Sequence, residues 1–149
     1  MDRFTKGLLA GISGGIVMNI WDFISYYGLR LSTDRYLDWA AIILLGDIPA
    51  SLFGTIFSLV VQILFAGFVG VIFIYLYSLV NSSNYLLKGG AGGFAAAFIL
   101  YAIPVVYKMP YLSKTPVATA FSHMIGAIIW GLVLAQMLHW LDRTNKTSI

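Results

Sequence analysis

The placement of charge constrains this chain more than any other feature. Three long intervals carry no charged residue: Ile48 to Leu87, Gly89 to Tyr107 and Thr115 to Leu141. A fourth apolar stretch, Phe4 to Leu29, is interrupted only by Lys6 and Asp22. A helix needs about 20 apolar residues to cross a bilayer. The first interval has 40 residues, too many for one span and too few for two with a loop. Its polar end, Asn81-Ser82-Ser83-Asn84, is a turn cluster. The spacing predicts four spanning helices, at about 4–29, 51–80, 86–107 and 117–141. Fourteen of the fifteen charges then fall at or outside span edges, and Asp22 is the exception.

Composition points the same way. Only 10% of the 149 residues are charged and 60% are hydrophobic, and mean hydropathy is +0.87. A soluble domain carries about 25% charged residues. So few charges cannot keep a soluble globule of this size dispersed. That excludes an ordinary cytosolic enzyme, a disordered tail and a free nucleic-acid binder. The expected fold is all-α: one transmembrane domain over 1–149, an integral membrane four-helix bundle. The N-terminus has two basic residues before apolar sequence, like a signal peptide. No cleavage pattern leads into a polar mature region, so it reads as a retained first span. Pro49 and Pro116 fall near helix starts, where a missing N–H costs little. Pro104 lies inside the third span and is expected to kink it. Trp21, Tyr26, Tyr27, Tyr75, Tyr77, Tyr107 and Trp140 lie near span ends, as an aromatic belt.

Residues 32–46 do not fit four plain spans. Asp34, Arg35 and Asp38 give way to an apolar run, Ala40 to Leu45, too short to cross. This predicts an extra interfacial or re-entrant helix at about 33–46, after the first span. One membrane side would hold Arg3, Lys6, Lys88, Arg143 and Lys146. The other would hold Arg30, Arg35, Lys108 and Lys114. Five against four favours both termini on the cytoplasmic side of the plasma membrane. We call the first side A and the second side B.

Small residues recur four apart on every span. Gly7, Gly11 and Gly15 mark the first; Gly54, Ser58, Gln62, Ala66 and Gly70 the second; Gly89, Gly93 and Ala97 the third. The fourth carries Thr119, His123, Ala127, Gly131 and Ala135. Such ladders let helix backbones approach where lipid supplies no hydrophobic drive. Four of them predict a homo-oligomer or a membrane-protein partner. A tandem repeat is also visible. Lys6-Gly7 and Ala10-Gly11 echo Lys88-Gly89 and Gly92-Gly93; Phe57-Ser58 and Gly67 echo Phe121-Ser122 and Gly131.

The polar residues inside the spans are the candidate site. Asp22, Tyr101 and His123 each lie seven residues inside the side-B edge, roughly 10 Å deep. Asn19 lies about 15 Å in and Gln62 about 19 Å. An ionised Asp placed centrally in a span costs about 2.5–3.5 kcal/mol, so Asp22 needs a partner, a wet cavity or headgroups. The expected arrangement is a cavity open to side B and lined by Asp22, Asn19, His123, Gln62 and Tyr101. It would bind a cation or proton, with His123 titrating near neutrality. The plainer alternative is interfacial Asp22 with His123 and Gln62 as interhelical hydrogen-bonding residues.

Catalysis finds no residues to carry it. There is no glutamate, no cysteine and only two histidines. No carboxylate pair, zinc pattern or nucleophile elbow is present. Ser122 and His123 are adjacent on a helix and point apart. The Gly-rich stretches follow no strand and lack a phosphate-loop lysine. No cofactor, metal or nucleic-acid partner is expected.

Met18-Asn19-Ile20-Trp21-Asp22-Phe23-Ile24-Ser25-Tyr26-Tyr27, Leu87-Lys88-Gly89 and Trp130-Gly131-Leu132-Val133-Leu134-Ala135 resemble stretches of small four-span bacterial membrane proteins of unknown function. The resemblance implies the layout and no activity. Size and charge tie are also similar to small multidrug transporters, whose essential first-span glutamate has no counterpart here. Two functions follow as expectations. One is ion or small-solute transport through the polar cavity. The other is an accessory or scaffold subunit of a larger membrane complex.

Overall fold

A computed structural model describes residues 1–80 and 83–146. Asn81 and Ser82 of the expected turn lie outside the described residues. The described chain is helical. α1 runs over Arg3–Phe23 and continues as a wider π-helical turn over Ile24–Gly28. α2 is Tyr36–Leu45, α3 Leu52–Tyr77, α4 Tyr85–Val106 and α5 Val117–Lys146. Four helices, Arg3–Gly28, Leu52–Tyr77, Tyr85–Val106 and Val117–Arg143, are long and apolar enough to cross a membrane. The extra helix after the first span is α2.

Local chemistry sets the helix ends. Asp2, Ser51 and Asn84 each accept a backbone N–H from the first turn they precede, from Thr5, Gly54 and Leu87. α2 stops at Gly46, which adopts φ 81°, and its N–H returns to the Ile42 carbonyl. Pro104 sits in the last turn of α4, and the helix ends two residues later at Val106.

The interior is built from small residues and the exterior from large apolar ones. Gly7, Ala10, Gly11, Gly14 and Gly15 of α1 are buried. Phe53 is 80% exposed and Val117 86% exposed. A soluble core reverses this order; a lipid-facing bundle does not need to hide Phe and Val.

α1 packs on α3 and on α5, and α4 packs on α5, while α3 and α4 barely meet. The glycine ladders supply two tight crossings. A Cβ on Gly11 would lie 2.5 Å from the Ala66 carbonyl oxygen, and one on Gly70 2.5 Å from that of Gly7. Gly15 meets Ala66. In the second pair, Gly89 faces Gly131 and Ala135, and Gly93 faces Ala127 and Gly131. Gly54 is a correction to the expected ladder. Its nearest neighbours are Ser51 and Pro49 of its own helix start. Gly14 joins the two pairs by lying against Trp130, whose indole N–H donates to the Gly11 carbonyl at 3.1 Å.

The two tight crossings use similar glycine contacts. Gly11 lies on Gly67 in one pair and Gly93 on Gly131 in the other. At side A, Lys6 pairs with Asp142 at 2.6 Å, and Lys88 lies 4.5 Å from the Tyr77 ring centroid.

Candidate functional site

Asn19 and Asp22 of α1 and Ser25 of the π-helical turn follow at three-residue spacing, and all three are buried. Thr119, Ser122 and His123 form a matching buried face at the start of α5. The connection after α1 folds back between them. Ser25 shares its hydroxyl with both Ser32 and Ser122. Thr33 donates its backbone N–H to the Thr119 hydroxyl at 3.0 Å. The Trp21 indole reaches the Ser122 carbonyl at 3.0 Å.

This stitching aims the start of α2 at Asp22. The Tyr36 backbone N–H donates to Asp22 Oδ2 at 2.8 Å. Tyr36 is the first residue of α2, so its N–H has no partner within the helix and lies at the positive end of the helix dipole. Asp22 thus caps a helix other than its own. Its second oxygen, Oδ1, is 3.5 Å from His123 Nε2. Asp22 is 0% exposed and His123 1%.

His123 is held on every side. Its Nδ1 is 2.7 Å from the Tyr101 hydroxyl, and its Nε2 is 3.3 Å from the Asp34 carbonyl. Tyr36 stacks on its ring at 4.3 Å between centroids and donates its hydroxyl to the His123 carbonyl. Both oxygens near Nε2 are acceptors, so in the neutral ring the proton sits on Nε2 and Tyr101 donates to Nδ1. Burial, ahead of the nearby Asp22 charge, holds the Tyr36 phenol protonated well above its ordinary range.

One turn deeper, Asn19 donates from Nδ2 to the Gly15 carbonyl at 2.8 Å and to Gln62 Oε1 at 2.6 Å. At the start of α2, Arg35 forms a two-pronged pair with Asp38 at 2.7 and 3.0 Å. It also lies 5.2 Å from the Tyr26 ring centroid. The Asp38 hydrogen bond raises the guanidinium pKa further above its ordinary value. Asp38 also accepts the Arg35 backbone N–H at 2.8 Å, capping α2 from within.

The gap between α3 and α4 is a groove. A cavity of about 310 Å³ is walled by Val61, Phe65 and Ala66 of α3 and by Gly93, Ala97 and Leu100 of α4. Met18 and Trp130 line it too, and Tyr36, Trp39, Tyr101 and His123 line its side-B part. A second cavity of about 610 Å³ shares Phe65, Val69, Ala96, Leu100 and Trp130 with the first and runs on to Tyr77 and Lys88.

The five expected site residues therefore divide. Gln62, Tyr101 and His123 line the groove; Asn19 and Asp22 do not. The expected wet cavity around Asp22 is replaced by a sealed contact, because α2 and its preceding loop pack into that space. Tyr36, Ser25, Ser32, Thr119 and Ser122 were not anticipated. The α5 set had a signal, since residues 119, 122 and 123 share one helix face. The Tyr36 contribution had none, because a backbone N–H is the same in every residue but proline.

No metal cluster of His, Asp or Glu occurs among the described residues. Comparison with protein-family models, with curated proteins and with solved structures finds no match to this chain.

Proposed function

We propose that this chain is a small multi-pass carrier of the cytoplasmic membrane, non-enzymatic, with both termini inside. It takes a small, largely apolar solute sideways from the bilayer into the groove between α3 and α4. One observation carries this reading: the groove is apolar along nearly its whole lining, from Val61 and Phe65 of α3 to Ala97 and Leu100 of α4. Ligand sites are typically about 300–1,000 Å³, mostly apolar, with a few placed polar groups. Such a lining suits an apolar solute better than a hydrated ion. The glycine ladders find their partners within one chain, so they do not by themselves argue for a second copy.

Trp39 and Trp130 both line the groove, so their fluorescence reports occupancy. In nanodiscs, brominated decanol should quench them saturably. Ala96→Phe places a ring in the groove and should weaken that quenching about tenfold. Quenching that tracks bulk partitioning and is the same in both proteins counts against the carrier. The groove's length also suits a partner's helix. Comigration with one fixed partner on a native gel, together with unsaturable quenching, would favour the accessory subunit.

A further inference from the structure

Among the described residues, Lys88 is the only Lys, Arg, Asp or Glu that lines either cavity of the groove. It belongs to the opening turn of α4, and Tyr77 ends α3, so both stand at side A. The Lys88 ammonium rests 4.5 Å from the Tyr77 ring centroid. No carboxylate of the described residues lies within 4 Å of it, whereas Lys6 pairs with Asp142 and Arg35 with Asp38. Asp2, at the same end, is occupied by the Thr5 N–H. An ammonium has three N–H donors, and a ring face engages only one side of it. The remaining side is open to an anion.

The second cavity also has a definite length and width. It runs from Lys88 to Leu100 along α4 and from Tyr77 to Phe65 along α3. Each stretch is twelve residues, or about 18 Å of helix. Half the hydrocarbon thickness of a bilayer is about 15 Å, so the cavity matches the depth of one leaflet. It is narrow midway. A Cβ on Gly92 would overlap the Phe73 ring, so a side chain of α3 already reaches the α4 backbone there. A helix with its side chains is about 10–12 Å across, too wide to lie between α3 and α4 at that height. A single acyl chain is far thinner.

We infer that the cavity of about 610 Å³ takes a long-chain fatty acid anion, its carboxylate on Lys88 and its tail running inward toward Trp130. This rests on the reading of the groove as a solute site and names the solute. One ammonium matches one carboxylate. The lining beyond Lys88 and Tyr77, through Leu76, Phe73 and Ile99, suits the methylenes, each of which gains about 0.8 kcal/mol on leaving water. Because that gain is the same in lipid, the charge contact is what favours the groove over the bilayer.

Trp130 lines the inner end of this cavity and reports the tail. The test uses the full chain in phosphatidylcholine nanodiscs, at a pH where the fatty acid is ionised. The probes are a long-chain fatty acid brominated at its tail and the matching brominated alcohol. Both should quench saturably, the acid with a half-saturation about tenfold lower. Lys88→Met should bring the acid to the level of the alcohol, and Lys88→Arg should keep the preference. Saturable quenching with no preference for the acid in the unaltered protein leaves the groove reading standing and overturns the fatty acid. A preference that survives in Lys88→Met overturns it too. Unsaturable quenching by both probes removes the groove reading and the inference together. If phosphatidylglycerol displaces the brominated acid as well as an equal amount of unbrominated fatty acid does, the site belongs to a bilayer lipid and the inference fails.

Discussion

Gly11 has no room to be another residue. Its added Cβ would sit 2.5 Å from the Ala66 carbonyl oxygen and 2.9 Å from the Gly67 Cα, both backbone atoms that cannot turn aside. Gly11→Ala should therefore cost about 1–3 kcal/mol, the range for forcing atoms into a packed site. Gly28 has nothing within 4 Å of its added Cβ. Gly28→Ala should be neutral or stabilise by about 0.4–1 kcal/mol through the unfolded chain. Unfolding of the two variants in mixed micelles checks the contrast. At this scale the sequence showed which polar side chains share a depth, and Asp22 and His123 do meet. It did not show what else faces Asp22. Depth along a helix is readable from spacing, but direction around it depends on which neighbours pack where. Asn19 and Asp22 accordingly face packed protein, although their depth suggested a cavity.

At the scale of elements, the four long helices were legible because a bilayer demands length and apolarity, and both are properties of sequence alone. α2 was legible as a short apolar helix between the first two spans. Its anchoring was not. Leu37 and Ala41 are fully buried while Ile43, Leu44 and Leu45 are exposed. Its N-terminus is tied to α1 and α5 through Tyr36. Tyr36→Phe keeps the stacked ring and the N–H to Asp22 and removes only the hydroxyl bond to the His123 carbonyl. The loss should be about 0.5–1.5 kcal/mol. It should appear as faster hydrogen exchange at amides of α2, with the crossing of α1 and α3 unchanged. Uniform acceleration across all helices would show that Tyr36 supports the whole fold and not α2 alone.

On the scale of the molecule, the two helix pairs differ in what fills the contact beside them. Placing Lys6 on Lys88 and Phe57 on Phe121 sets Gly14 against Ala96 and Ala66 against Trp130. Gly14 and Trp130 close the contact of α1 with α5. Their counterparts, Ala96 and Ala66, line the gap between α3 and α4. One side has a large residue seated on a glycine, and the other has two alanines that leave space. The ion pair between Lys6 and Asp142 spans the ends of the chain, yet the Asp142 side chain is 64% exposed. Asp142→Asn should therefore change stability by less than about 1 kcal/mol, and added salt should shrink the difference. A larger, salt-insensitive loss would mean that the pair holds α1 to α5.

The partners of Asp22 also set an order of assembly. Tyr36 emerges from the ribosome soon after Asp22, but His123 follows about a hundred residues later. During that interval the carboxylate has only the first amide of α2 to rest on. The first span is thus made before most of the side chains that finally surround Asp22. The surroundings that bury Asp22 are therefore complete only when α5 has packed against α1.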